Sequence, residues 1–290
     1  PLYQSDRATL LSIRNKYSEP ILGDDNFYQE RLRDIYGSDN EYGHDKYLPY
    51  KNIIQDTYHR IILGSNKDYL LIELSVFGNL PVIKYLVDNG ANAEKKSAIR
   101  NAAKWGHLEV VEYLIEKGAN AKDYEVLGNA SSGGYLPMVK YLVEKGADPS
   151  NPYNTWKLGD AARNGHLGVV KYLAEKGANT RIFLEYAAIN GHLSIVKYLV
   201  DKGADPKNKT VLRDAAAYGE LPVLKYLTEK GADLNDKEAL IRALVGGHLS
   251  VVQYLVGKGA DPKDPEVLKN ASTVDDFSMA EFLIQKGADP

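Results

Sequence analysis

Gly106-His-Leu-Glu-Val-Val-Glu-Tyr-Leu-Ile-Glu-Lys-Gly-Ala-Asn120 is a stretch that the chain repeats. Close copies begin at Gly165, Gly191 and Gly247, and looser copies begin at Gly78, Gly134, Gly219 and Asp275. The glycine before the closing Ala-Asp or Ala-Asn recurs at intervals of 28, 28, 31, 26, 28, 28 and 28 residues. Self-similarity at a short, nearly fixed period is the signature of a repeat architecture. The pattern therefore predicts a solenoid of eight units over residues 66–290.

Each unit has the sequence pattern of two helices joined by a turn. In the second unit, residues 95–104 predict a first helix and residues 108–117 a second one, with Gly106 in the turn between them. Gly118 would supply the left-handed conformation that commonly ends a helix. Prolines that follow the turn leucine, such as Pro137, fall in the first turn of the second helix, where a missing N–H costs nothing.

Residues 102–120 resemble the ankyrin repeat over its second half: an alanine pair, a Gly-His turn, a Leu-x-Val-Val helix and a closing Gly-Ala-Asn. The family period is about 33 residues, with a Thr-Pro-Leu-His entry to the first helix. Here the usual period is 28, and no Thr-Pro-Leu-His occurs. The missing residues lie where the family places its β-hairpin. We therefore expect an all-α, ankyrin-like α-solenoid of about eight helix-turn-helix repeats, with a helical N-terminal segment and little or no β structure.

Composition excludes several classes of function. The chain has 36 basic and 39 acidic residues, a net charge of -3 and no basic block, which argues against nucleic-acid binding. It has no cysteine, which excludes disulfides and cysteine-based metal sites. No apolar run is long enough to span a membrane, and no signal peptide is visible. These features predict an intracellular protein of the cytoplasm or nucleus, with neither nucleic acid nor membrane as a partner.

Residues 1–65 lack the repeat and contain three helical patterns, over residues 6–17, 24–36 and 50–63. One interpretation is a helical segment that caps the stack, because the ends of a solenoid need covering. We therefore expect two parts, an N-terminal segment at 1–65 and eight repeats at 66–290. Because the first residue is Pro1, the natural protein could extend upstream.

The N-terminal segment also resembles the second half of an F-box and the helix that follows it. The resemblance covers about 35 residues and includes Asp24-Asp-Asn-Phe-Tyr-Gln-Glu-Arg-Leu32. The family's opening Leu-Pro-x-Glu helix is absent, and Tyr17 stands where the family has tryptophan, as does Tyr28. The resemblance implies that Leu10, Phe27 and Tyr28 contact a ubiquitin-ligase adaptor subunit. The repeats would then recruit the target of the ligase.

The polar residues give no catalytic or metal-binding pattern. His107, His166, His192 and His248 occupy the same turn position in different repeats. Neighbouring repeats are separated by roughly 10 Å, which is too far for the histidines to share a metal ion, so we expect them to hydrogen-bond within the turn. No P-loop, Gly-x-Gly-x-x-Gly, Gly-x-Ser-x-Gly or His-Glu-x-x-His occurs. We therefore predict neither an enzymatic activity nor a cofactor.

The second helix of each repeat has an aromatic residue at the same position. The series predicts a ladder on the convex side, with each ring covering the neighbouring helix and each hydroxyl near water. A stripe that binds a partner is the alternative. The residues are Tyr85, Tyr113, Tyr141, Tyr172, Tyr198, Tyr226, Tyr254 and Phe282.

The first helices contain the sharper signal for binding. Counted from the first alanine of the Ala-Ala pair, positions -5, -2, -1 and +2 point outward onto the concave side at 100° per residue. Most repeats have polar or small residues there, whereas repeat four has Trp156 and repeat five has Ile182, Tyr186 and Ile189. Exposed large apolar groups mark interaction sites. Because the irregular intervals of 31 and 26 fall at these two repeats, a shifted register that buries the residues is the alternative.

These observations predict a protein–protein interaction scaffold that binds another protein through its concave first-helix face. A substrate receptor of an F-box-type ubiquitin ligase is the alternative function. At the other end of the chain, Asp275 and Asp276 replace the Gly-His of the turn. Because a terminal repeat has one side facing water, we expect repeat eight to be the native cap of the stack. A further unit packed against Phe277, Met279, Phe282 and Ile284 is the alternative.

Overall fold

The computed structural model describes residues 66–271 and 277–288, and every regular element in these ranges is helical. Sixteen α-helices form eight pairs, so that odd-numbered helices are the first and even-numbered helices the second of each repeat. Their bounds are α1 (Lys67–Leu74), α2 (Leu80–Asp88), α3 (Lys96–Lys104), α4 (Leu108–Glu116), α5 (Tyr124–Ser132), α6 (Leu136–Glu144), α7 (Thr155–Arg163), α8 (Leu167–Glu175), α9 (Thr180–Ile189), α10 (Leu193–Asp201), α11 (Lys209–Ala217), α12 (Leu221–Glu229), α13 (Lys237–Val245), α14 (Leu249–Gly257), α15 (Pro265–Ala271) and α16 (Phe277–Gln285). The all-α fold, the eight repeats and the lack of β structure are confirmed for these residues.

The chain divides into two compact units, Pro1–Asn120 and Ala121–Pro290. Repeats one and two belong to the first unit, and repeats three to eight belong to the second. Within the second unit each first helix packs against the first helix of the next repeat, as α7 does on α9 and α11 on α13. The three predicted N-terminal helices at 6–17, 24–36 and 50–63 lie outside the described residues, and the division at residue 65 stays a prediction.

The loop between repeats is short because two polar side chains build it. Asp205 accepts a hydrogen bond from the backbone N–H of Lys207 at 2.9 Å. Three residues after Asp205, Asn208 caps α11 by accepting the N–H of Thr210 at 2.9 Å. The loops before α13 and α15 repeat this arrangement. A side-chain turn followed at once by an N-cap replaces the hairpin, which explains a 28-residue period.

The two irregular intervals are absorbed in the loops and leave the register of the helices unchanged. Before α7 the additional residues form a 3-10 helix, Pro152–Asn154, and the buried Asn154 side chain donates to the Asp148 carbonyl at 3.0 Å. Before α9 the loop is so short that Asn179, the last residue of the Gly-Ala-Asn motif, is itself the N-cap of the helix. The alanine pairs of both helices remain fully buried. The shifted register considered above therefore does not occur.

The turn histidines connect neighbouring repeats. Each Nε2 lies 2.7–3.0 Å from a backbone carbonyl oxygen near the end of the preceding repeat's first helix. Because a carbonyl only accepts, Nε2 must carry the proton. The expected bond within the turn is therefore wrong. The pairs are His107 with Val76, His166 with Ser132, His192 with Arg163, and His248 with Ala217.

The imidazole also occupies the space above a turn glycine. Gly165 adopts φ +81°, a left-handed conformation that favours glycine. A methyl group on this residue would lie 2.8 Å from Cε1 of His192. Gly177, which ends the second helix of the same repeat, adopts φ +90° but has no atom within 4 Å of that position. Both positions therefore favour glycine because of the left-handed backbone. Of the two, only Gly165 also lacks the space for a side chain.

We expect Gly165→Ala to lower the free energy of unfolding more than Gly177→Ala. Both substitutions strain a left-handed backbone by about 1 kcal/mol, and Gly165→Ala adds an overpacking cost of about 1–3 kcal/mol. Chemical denaturation followed by circular dichroism measures both. Adding His192→Ala to Gly165→Ala should remove the steric part of the loss. Equal losses from the two single variants would contradict the packing assigned to the histidine.

A half-buried ion pair joins repeats six and seven. The carboxylate of Asp236 caps α13 through the N–H of Glu238 at 3.1 Å and is nearly inaccessible to water. It also accepts hydrogen bonds from Nε of Arg213, which lies 3.1 Å from both carboxylate oxygens. One side chain thus fixes the start of a helix and its attachment to the neighbouring repeat.

Asp236→Ala should lower the free energy of unfolding by about 3 kcal/mol, because it removes an N-cap and leaves Arg213 without its carboxylate. Asp264→Ala is the matched control, since Asp264 caps α15 in the same way but its ion pair with Lys237 is exposed. We expect about 1 kcal/mol for the control. A denaturation midpoint that falls equally in both variants would show that the buried pair contributes nothing beyond the cap.

Candidate functional site

Trp156 is the most exposed residue of the predicted cluster. It lies in the first turn of α7, and 64% of its surface is accessible to water. Ile182, Tyr186 and Ile189 on α9 are half-buried. All four belong to the second unit, and they are called the Trp156 cluster below. The structure therefore places them on the first-helix face, defined as the outward positions of the first helices.

Tyr186 connects the two helices of the cluster. Its ring centroid lies 6.2 Å from that of Trp156, with the ring planes tilted by 43°. The guanidinium carbon of Arg163 lies 4.2 Å from the same ring centroid. Asp160 holds that guanidinium by an ion pair of 2.8 Å. Aromatic and cation–π contacts of this geometry each contribute about 1 kcal/mol, so the tyrosine ring is held in place before any partner arrives.

Gly159 makes this arrangement possible. A Cβ at this position would lie 2.6 Å from Cγ2 of Ile182 and 2.9 Å from the ring of Tyr186. The lack of a side chain lets α9 place both residues directly over α7. Ile182 and Tyr186 therefore pack between repeats and also contribute surface, whereas Trp156 is chiefly surface.

Charged residues continue the face toward repeat seven, and they are paired. Arg242 lies 3.1 Å from Asp214 and 2.9 Å from Glu238. Burial raises the pKa of Asp214, the nearby Glu185 raises it further, and Arg242 opposes both effects. All four arginines of the first helices in the described part of the second unit form ion pairs: Arg163, Arg181, Arg213 and Arg242.

Sequence reasoning did not single out Arg163, Gly159 or Val245. Arg163 and Gly159 occupy positions +2 and -2 of repeat four, so the outward-position rule contained the signal. Val245, at position +2 of repeat seven, is 60% exposed, and the same rule could have found it. Tyr218, the C-cap of α11, is 59% exposed and lies one position outside the rule. Leu10, Phe27 and Tyr28 lie outside the described residues.

Other candidate sites are weaker. The described residues contain no group of three or more His, Asp or Glu side chains placed to hold a metal ion. A cavity of about 260 Å³ between repeats seven and eight is lined by Lys237 and Asp264, whose charges offset each other across 3.5 Å. Among the helices that the structure describes, none has the length and apolar character needed to cross a membrane.

The predicted aromatic ladder is present on the second helices. The rings of repeats three to seven lie half-buried, or buried in the case of Tyr226. Burial raises the pKa of Tyr172, and a carboxylate of the preceding repeat, Glu144, raises it further. The same causes act on Tyr198 through Glu175.

Gly159→Ala should displace the Trp156 cluster. Alanine normally stabilises a helix by about 0.5–1 kcal/mol over glycine, but here the methyl group would overlap Ile182 and Tyr186, so we expect a net loss of about 1–2 kcal/mol. Gly257→Ala is the matched control, because Gly257 is also helical and has no atom within 4 Å of its Cβ position. We expect the control to stabilise the protein.

Thermal unfolding measures both stabilities. In a Trp105→Phe background, the fluorescence of Trp156 reports the cluster directly, and it should change only with Gly159→Ala. Stabilisation by both alanines, with unchanged fluorescence, would mean that α9 does not lie over Gly159.

Comparisons with known proteins agree with this architecture. The crystal structure of the human ASB11 ankyrin repeat domain aligns with 66% of this chain and 98% of its own, with a TM-score of 0.58 and 22% sequence identity. At that identity the likeness concerns the fold alone. A search of curated protein sequences gave no match. The family model for ankyrin repeats matches overlapping segments, at 51–125, 70–153, 158–238, 184–266 and 212–290. Because these matches cover most of the sequence, the chain belongs to the ankyrin-repeat family.

Proposed function

We propose that the Trp156 cluster is the surface through which this chain binds a partner protein. Ankyrin repeats are in general protein–protein interaction modules, and that coarse function applies to the whole repeat array. The exposed indole of Trp156 beside the fixed ring of Tyr186 is the observation that supports the finer proposal. Tryptophan, tyrosine and arginine are the residues that most often dominate the free energy of binding at interfaces.

Preorganisation favours this surface over the rest of the first-helix face. Ordering a side chain on binding costs about 0.5–1.5 kcal/mol. Arg163 and Asp160 already hold Tyr186, and Gly159 already seats Ile182. A partner would therefore meet a surface in which Tyr186 and Ile182 are already ordered.

The pairing of charges favours a protein over a nucleic acid as the partner of this face. Phosphate backbones are bound by cations that lose their counterions on contact. The four arginines on the first helices of the second unit instead have carboxylates of this chain as partners at 2.8–3.1 Å. A polyanion would have to displace those carboxylates. An apolar or aromatic side chain of a protein would meet no such competition at Trp156.

The ligase hypothesis stays a prediction from residues 6–37, which lie outside the described residues. Its substrate-receptor function would use the same first-helix face to recruit a target. The two hypotheses therefore differ in the N-terminal segment and agree about the Trp156 cluster.

Trp156→Ala should weaken partner binding by about tenfold or more, because it removes the exposed anchor. The measurement is an affinity capture from cell extract with the full chain, followed by titration of the recovered partner. Trp105→Ala is the matched control, since Trp105 is 54% exposed but lies in repeat two. Circular dichroism should show the same helix content in all three proteins.

A second variant separates binding from folding. Tyr186→Ala with Ile189→Ala should also weaken binding while helicity is kept. Loss of helicity in the double variant would show that these two residues chiefly support the fold. A partner that binds the wild type and both tryptophan variants equally would place the interface elsewhere.

A further inference from the structure

The second helices of repeats three to eight present a row of lysines. Each lysine either precedes a ladder aromatic residue or follows it by four positions, and all ten are exposed. This set is called the lysine stripe: Lys140, Lys145, Lys171, Lys176, Lys197, Lys202, Lys225, Lys230, Lys258 and Lys286.

The ladder rings hold the stripe in place. The ring of Tyr198 has Nζ of Lys171, from the preceding repeat, 5.4 Å from its centroid and Nζ of Lys202, from its own repeat, at 5.9 Å. Tyr226 is flanked in the same way by Lys197 at 5.7 Å and Lys230 at 5.6 Å. Tyr172 and Tyr254 also have one ammonium group from each of two repeats, so these four rings give the stripe a periodicity set by the stacking of the helices.

These ammonium groups form no ion pair with the described residues, in contrast to the arginines of the first helices. In repeats three to seven, the second helices with their N-cap and C-cap residues hold nine of these lysines and five acidic residues, which leaves an excess of four positive charges on a chain whose net charge is -3. Some of these carboxylates lie toward the tyrosine hydroxyls, since Glu144 and Glu175 act on Tyr172 and Tyr198. Among the residues of this unit that the structure describes, the first-helix arginines are thus in ion pairs and the ten lysines of the stripe are not.

We propose that the lysine stripe binds an acidic segment of a partner protein, laid along the repeats in an extended conformation. Neighbouring helices pack about 10 Å apart, and an extended chain in the polyproline II conformation has three residues per turn and advances about 3.1 Å per residue, so that every third side chain lies on the same face. Carboxylates at every third residue would therefore meet successive repeats. Backbone and apolar atoms of the segment would lie against the half-buried tyrosine rings.

The carboxylates within the stripe favour a peptide over a denser polyanion. Duplex DNA carries one negative charge for about every 1.7 Å of its axis, so some of its phosphates would lie against Glu144, Glu175, Asp201 or Glu229. A peptide with acidic residues three apart can place its charges at the lysines and neutral residues at those carboxylates. The same argument disfavours the continuous charge of an anionic membrane.

The test uses the full chain and a fluorescein-labelled peptide made of Glu-Gly-Ser units, one unit for each of repeats three to eight. Fluorescence anisotropy gives the affinity at about 50 mM and about 200 mM salt, and we expect binding that weakens at the higher concentration. A peptide of the same composition with all glutamates adjacent should bind less well. Equal affinity for the two peptides, or no binding of the spaced one at low salt, would overturn the proposal.

The variant Lys171→Gln with Lys197→Gln should weaken binding of the spaced peptide by about fivefold. Arg181→Gln with Lys209→Gln is the matched control, because it removes the same charge from the first helices of repeats five and six. An equal loss in both would mean attraction by net charge only and would overturn the proposal. Tighter, stripe-dependent binding of duplex DNA or of phosphatidylserine vesicles would overturn it in favour of that ligand. Trp156→Ala should leave peptide binding unchanged, which separates this proposal from the one for the first-helix face.

Discussion

In four repeats the imidazole fills the space beside the turn glycine of the preceding repeat, and the attachment of those repeats depends on this contact. The contact requires a left-handed backbone at the glycine, no side chain on that glycine, and a protonated Nε2 within 3.0 Å of a carbonyl oxygen. A single repeat cannot satisfy this contact alone, because the donor and the acceptor belong to different repeats. Stability in such an array is the sum of terms for single repeats and for their interfaces. The histidine contributes to the interface terms.

The helices and their number could be predicted because the signals for them are local. Apolar spacing, the glycines of the turns, and the polar caps of the first helices each act within a few residues. Even the lack of a hairpin followed from a count of residues between Gly-Ala-Asp and the next helix. The few residues of this loop are enough because Asp205 forms a side-chain turn and Asn208, three residues later, caps the next helix.

The contacts between repeats could not be predicted in the same way. The bond of His192 reaches a carbonyl 29 residues earlier in the sequence, and no local pattern distinguishes it from a bond within the turn. Likewise, Arg163 covers Tyr186 only because Gly159 lets α9 approach α7 closely. The outward-position rule placed all three residues on one face, but the distance between the helices decides which of them touch. Contacts between repeats can therefore be identified only when the positions of both repeats are known.

The position of the two irregular loops bears on why the Trp156 cluster lies where it does. The intervals of 31 and 26 residues add a 3-10 turn before α7 and remove a loop before α9, yet the buried alanine pairs keep their register. The core therefore gains nothing from either change. The loops that lead into two first helices differ, and these two helices are also the ones that carry the Trp156 cluster. In a repeat array the regular sequence is sufficient for stability, so departures that leave the core unchanged need another explanation. An interface at repeats four and five would account for the loops and the side chains together.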